Sequence, residues 1–117
     1  MKTNYILLTL LLVFFNSCVQ KTYKRTVVFT VDVSKIKNIN SVGIRGEKPL
    51  NWNYDTQMNA LKKDSLYTIT QTFETGYRFV EVKFTVNGNY ELENLPNRRV
   101  YFNKKGKTVY KAIFNKP

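Results

Sequence analysis

From Phe79 to Val86 the chain alternates without a break. Val80, Val82, Phe84 and Val86 fall on one side, and Phe79, Glu81, Lys83 and Thr85 on the other. A two-residue repeat is the period of a β-strand, and it commits the apolar side to a core. Asn87-Gly88 follows at once, a pair suited to the positive φ angles of a tight hairpin turn. A strand with one apolar face needs a second layer to bury it, so this segment already asks for a packed sheet.

The same period recurs. Val27, Phe29, Val31 and Val33 alternate with Thr26, Val28, Thr30 and Asp32. Tyr67, Ile69 and Phe73 share one face of Leu66–Phe73, and Thr68, Thr70 and Thr72 the other. Val42 and Ile44 make a shorter strand ended by Gly46. Tyr90–Glu93 is expected to pair back after the Asn87-Gly88 turn. Arg99–Phe102 and Thr108–Phe114 are expected to form a last hairpin around Asn103-Lys104-Lys105-Gly106. Glu47–Leu61, broken by Pro49 and three asparagines, reads as irregular. No segment sustains a helical period. Short strands separated by turns every 8–12 residues or so predict an all-β, immunoglobulin-like β-sandwich of about seven to eight antiparallel strands.

The N-terminus reads as an address. Lys2 precedes an apolar run of 11 residues, Tyr5–Phe15, the size of a signal-peptide core and too short to span a bilayer, which takes about 20. Asn16-Ser17-Cys18 follows, and a small residue directly before a cysteine resembles the bacterial lipobox. The division expected is a lipoprotein signal peptide over residues 1–17, a polar tether over 18–24 and one domain over 25–117. Cys18 is the only cysteine, so it has no partner for a disulfide within the chain and builds no thiolate metal site. Its expected role is lipidation. An acylated Cys18 would place the protein in the bacterial cell envelope, anchored on a membrane.

The net charge is +11. Such a balance suits nucleic acid, an anionic membrane or plain solubility, and the export signal argues against nucleic acid. The bases are spread along the chain, as at Lys35, Lys62, Arg98 and Lys104, which reads as a solvated basic rim.

Catalytic chemistry is scarce. The chain has no histidine, which removes the usual general base and every Ser-His or Cys-His pair. Its glycines stand singly at turns, so no phosphate loop is present. Glu91 and Glu93 would share one strand face about 7 Å apart, whereas glycosidase carboxylates flank a bound sugar from opposite sides. The pair reads as a solvated strand face, and the chain as non-catalytic, with no metal and no cofactor.

From about Thr26 to Phe114 the order of segments resembles the starch-binding modules of carbohydrate-binding family 20 and their glycogen-binding relatives. The resemblance rests on Val27-Val28-Phe29-Thr30-Val31, Ser41-Val42-Gly43-Ile44-Arg45-Gly46, Leu50-Asn51-Trp52-Asn53, Val82-Lys83-Phe84, and Glu91-Leu92-Glu93 leading to Pro96-Asn97-Arg98. It implies a sugar site in which Trp52 takes the place of the family's first tryptophan, Lys83 of its lysine and Asn97 of its asparagine. The second tryptophan falls on Leu92, so Tyr90 is the candidate for a second ring. The implied ligand is a polysaccharide or oligosaccharide of the α-glucan class, with any hydrolase a separate partner. The other reading is a sandwich that has lost the sugar and serves as a protein-interaction or envelope module.

Overall fold

The computed structural model describes residues 21–117. The expected signal peptide and Cys18 lie outside the described residues. Nine strands follow one another: β1 (Tyr23–Asp32), β2 (Val42–Gly46), β3 (Thr56–Gln57), β4 (Asn59–Lys62), β5 (Leu66–Thr75), β6 (Phe79–Val86), β7 (Asn89–Tyr90), β8 (Arg98–Tyr101) and β9 (Thr108–Ile113). They form two sheets, one in the order β4-β5-β1-β9 and one in the order β3-β2-β6-β7, with β8 also paired to β6. The protein is an all-β sandwich.

The alternation read from the sequence sets the two inner faces. Val27, Phe29 and Val31 of β1, Phe73 of β5, Val80, Val82 and Phe84 of β6 and Ile44 of β2 are all buried. Phe29 stands at the centre, edge-on to Phe73 at 6.1 Å, Phe84 at 6.3 Å and Tyr110 at 6.3 Å. Edge-to-face contact is the favoured geometry for such rings, and burying each contributes roughly 1.5–3 kcal/mol. The core cluster and the side chains packed on it run from Val27 to Phe114, so the described residues close the sandwich by themselves.

Five expectations are corrected. Tyr23 and Lys24 belong to β1, opposite Thr75 and Glu74, and not to a tether. The span Glu47–Leu61 contains β3 and all but the last residue of β4, which pair with β2 and β5 and carry the chain from one sheet to the other. The last hairpin does not form. β8 pairs with β6, whereas β9 joins the other sheet parallel to β1, so the strands are not all antiparallel. Alternation identifies a strand but is silent on which sheet takes it. Asn103 braces the loop between β8 and β9, its amide N–H donating to Thr108 Oγ1 at 2.8 Å and its side-chain amide to the Lys107 carbonyl at 2.9 Å. Thr85, expected to face solvent, is buried. The return strand after Asn87-Gly88 is short: β7 covers Asn89–Tyr90, and the chain turns inward at Glu91 and Leu92, where Leu92 adopts φ 52°.

This early turn leaves β6 with a divided second edge. β8 pairs with Phe79–Val82 and β7 with Thr85–Val86. Lys83 and Phe84 lie between them, and the loop from Glu91 to Asn97 fills the gap.

Candidate functional site

Glu91 closes that gap with both backbone and side chain. Its N–H donates to the Phe84 carbonyl at 3.0 Å, and its Oε2 accepts the Phe84 N–H at 2.8 Å. The carboxylate thus stands in for the missing strand partner. It also accepts from Arg98 Nε and Nη2, both at 2.7 Å, and from the Asn115 N–H at 3.2 Å. Arg98 Nη2 donates onward to the Ile113 and Lys116 carbonyls at 2.9 and 2.8 Å. Both side chains are buried. Burial works against the Arg98 charge, but the bonds to Glu91 and Tyr110 outweigh it and raise its pKa. Glu91 is therefore not part of a solvated strand face, and Arg98 is not part of the basic rim. A two-pronged ion pair across seven residues ties off the loop between them.

Lys83 holds the same loop from the sheet. Its Nζ donates to the Leu92 carbonyl at 3.2 Å and the Leu95 carbonyl at 3.0 Å. Glu81, a neighbour of Lys83 on the open face, instead pairs with Arg99 at 3.1 Å. Asn97 directs its side-chain amide toward Glu81 Oε2 at 3.4 Å.

On the other side of Lys83 the β2–β3 loop is fastened at several points. Leu50 is buried in the core. Asn51 Oδ1 accepts the Asn53 N–H at 2.7 Å, a local turn that presents Trp52 between them. The Trp52 carbonyl accepts from the Tyr90 hydroxyl and, at 3.5 Å, from Arg45 Nη1. Arg45 Nε is paired with Asp55 at 2.6 Å, and its guanidinium lies 4.8 Å from the centre of the Tyr90 ring. The Tyr90 hydroxyl first, and then the Asp55 carboxylate, favour the charged guanidinium and raise its pKa further. With these ties the indole of Trp52 is left half-buried.

The three segments meet over one open cavity of about 320 Å³ lined by Trp52, Lys83, Tyr90, Glu93, Asn94 and Asn97. All four side chains singled out in the sequence are in it. Leu92, where the resemblance would put a second tryptophan, is buried and does not line the cavity. Sequence reasoning missed Asn94 in the lining and Arg45 behind it, which braces the Trp52 loop, and read Glu93 only as a solvated acid. The asparagine follows the Glu91-Leu92-Glu93 run without matching any motif, and Arg45 looked like a strand residue. Lining of this kind offers an aromatic face, an ammonium, two amides and a carboxylate within one shallow depression. A larger cleft of about 600 Å³ lies beside Tyr110 and Lys116. It lacks a tryptophan, and Tyr110 there packs on Phe29.

Among the described residues no group of three or more His, Cys, Asp or Glu side chains is placed to hold a metal ion. No family model and no curated protein matches the chain.

Proposed function

We propose that this protein is a non-catalytic carbohydrate-binding domain of a bacterial envelope lipoprotein. Acylation of Cys18 holds it on a membrane, and an α-glucan is its ligand, supplied to or taken from a separate hydrolase. The single observation that carries the reading is the gathering of Trp52, Lys83, Tyr90 and Asn97 around one open cavity, Trp52 from the β2–β3 loop and the other three from β6, β7 and the loop that follows.

The chemistry suits a neutral sugar. A pyranose presents an apolar C–H face and a rim of hydroxyls. The indole of Trp52 covers the face. Asn94 and Asn97 donate and accept along the rim, and Glu93 accepts. Lys83 spends two of its N–H groups on loop carbonyls, so one remains for a hydroxyl. Tyr90 is exposed but is tied through its hydroxyl to the Trp52 carbonyl, which makes it a support for the indole loop as well as a wall of the cavity.

The experiment is titration calorimetry of the domain with maltoheptaose and with β-cyclodextrin, native against Trp52→Ala. Heat from the native domain that vanishes in the variant supports the reading. No heat at millimolar sugar overturns it and favours the interaction module. One observation favours that second reading: Leu92 is buried where a second ring would complete a two-ring platform.

A further inference from the structure

A second groove, of about 520 Å³, lies at the end of the sandwich where β1 begins. Its wall is made by Tyr23 and Arg25 of β1, Tyr77 and Arg78 of the β5–β6 turn, Tyr101 of β8 and Lys104 of the β8–β9 crossover. Arg25, Arg78 and Lys104 supply three positive charges, and no carboxylate lines the groove. None of the three takes part in an ion pair among the described residues. The tyrosines are 54%, 68% and 61% exposed at positions 23, 77 and 101, so their rings stand in solvent. Tyr77 and Tyr101 both lean on Phe79, at 6.2 and 5.5 Å between ring centres. Rings with a polar tip, set among cations, match the headgroup region of a bilayer, where tyrosine settles and phosphates carry negative charge.

The chain's path selects the occupant. Tyr23 is five residues beyond Cys18, and five residues span at most about 18 Å. With Cys18 acylated, this end is the one held nearest the membrane. The opposite end of β1, at Asp32, lies roughly 30 Å further along the strand. The surface field of an anionic leaflet falls off over a Debye length of about 10 Å, so the groove is where the field is felt. Lys83 lies four residues along β6 from Phe79, roughly 13 Å. The cavity at Trp52 therefore sits away from the bilayer.

We propose that the groove end of the sandwich docks on an anionic lipid surface through Arg25, Arg78 and Lys104, with Tyr23, Tyr77 and Tyr101 at headgroup level. This rests on the anchored reading of Cys18 given above. The geometry would orient the Trp52 cavity outward.

The test is co-sedimentation of residues 21–117, which carry the closed core, with sucrose-loaded vesicles. One set is phosphatidylcholine alone and the other contains 30 mol % phosphatidylglycerol, each at low and at physiological salt. Binding is expected on the anionic vesicles only, weakening with salt. Arg25→Gln/Arg78→Gln/Lys104→Gln should bind on the order of 100-fold more weakly, since each basic residue near such a surface is worth about a factor of five. Lys35→Gln/Lys37→Gln/Lys63→Gln removes the same charge from the opposite end and should bind nearly as well as the native domain. Equal loss in both triple variants, or equal binding to neutral vesicles, overturns the proposal. So does binding to a soluble acidic polysaccharide such as alginate with none to vesicles. Acylation is read separately, from the mass of the membrane-extracted protein, so a failed anchor and a failed groove give different results.

Discussion

Replacing Glu91 by glutamine tests the arrangement that holds the loop. The carboxylate is fully buried and accepts four hydrogen bonds, from Phe84, from Arg98 twice and from Asn115. A glutamine side chain keeps the shape but loses the charge, and it turns one acceptor into a donor that faces other donors. Arg98 is then left buried without its counter-charge. Breaking a buried pair by removing one partner costs about 3–5 kcal/mol. In a domain of this size each kcal/mol moves the melting midpoint by about 4–8 °C, so the expected drop is about 12 °C or more. Replacing both members, Glu91→Leu with Arg98→Met, should recover part of the loss because no charge is stranded. Recovery stays incomplete, since the N–H groups of Phe84 and Asn115 and the carbonyls of Ile113 and Lys116 lose their partners, at about 1 kcal/mol or more each. Urea denaturation followed by far-UV circular dichroism gives the stability of Glu91→Gln and of the cycle made by the native protein, Glu91→Leu, Arg98→Met and the double variant. A Glu91→Gln loss below about 1 kcal/mol, or single losses that simply add in the double variant, would refute the reasoning.

Other outcomes follow from the same contacts. Trp52→Ala should leave stability within about 1 kcal/mol, because the indole is only half-buried, and should weaken any α-glucan binding by tenfold or more in calorimetry. Arg45→Met should leave the core intact while removing the partner of Asp55 and one of the two donors to the Trp52 carbonyl; a loss of about 1–3 kcal/mol in denaturation and a larger effect on any sugar binding are expected. Phe29→Ala removes the central ring of the core and should cost about 3–5 kcal/mol by thermal melting. The side-chain and backbone hydrogen bonds from Ser34 hold the Asp32 carboxyl below its usual pKa of 3.8. A lowered folded-state pKa adds stability above the unfolded value and loses it as pH falls through the folded one. Asp32→Asn should therefore narrow the stability gap between pH 6 and pH 2, and an unchanged gap would count against the Ser34 contacts.

The inner faces were legible because period-two alternation is a local signal. Val80, Val82 and Phe84, or Val27 and Phe29, carry it in consecutive residues, and no neighbour can alter which side each occupies. Trp52, Lys83, Tyr90 and Asn97 were singled out from the order of segments, and they line one cavity. Glu91 was not legible. A glutamate on an alternating segment looks solvated until the chain leaves the strand after Tyr90 and exposes the Phe84 N–H to it. Arg45 was hidden in the same way, since its contacts with Asp55, Trp52 and Tyr90 join three segments.

By itself the amino-acid sequence determined that the chain is a sandwich, which side of each long strand faces inward and where the Asn87-Gly88 turn falls. These properties depend on residues within reach of one another along the backbone. Only the tertiary structure decided that β8 and β9 part to different sheets, that Glu91 and Arg98 close a buried pair, and that the cations at Arg25, Arg78 and Lys104 form one groove. Each of those depends on hydrogen bonds or juxtapositions between different strands and loops, which no local repeat encodes.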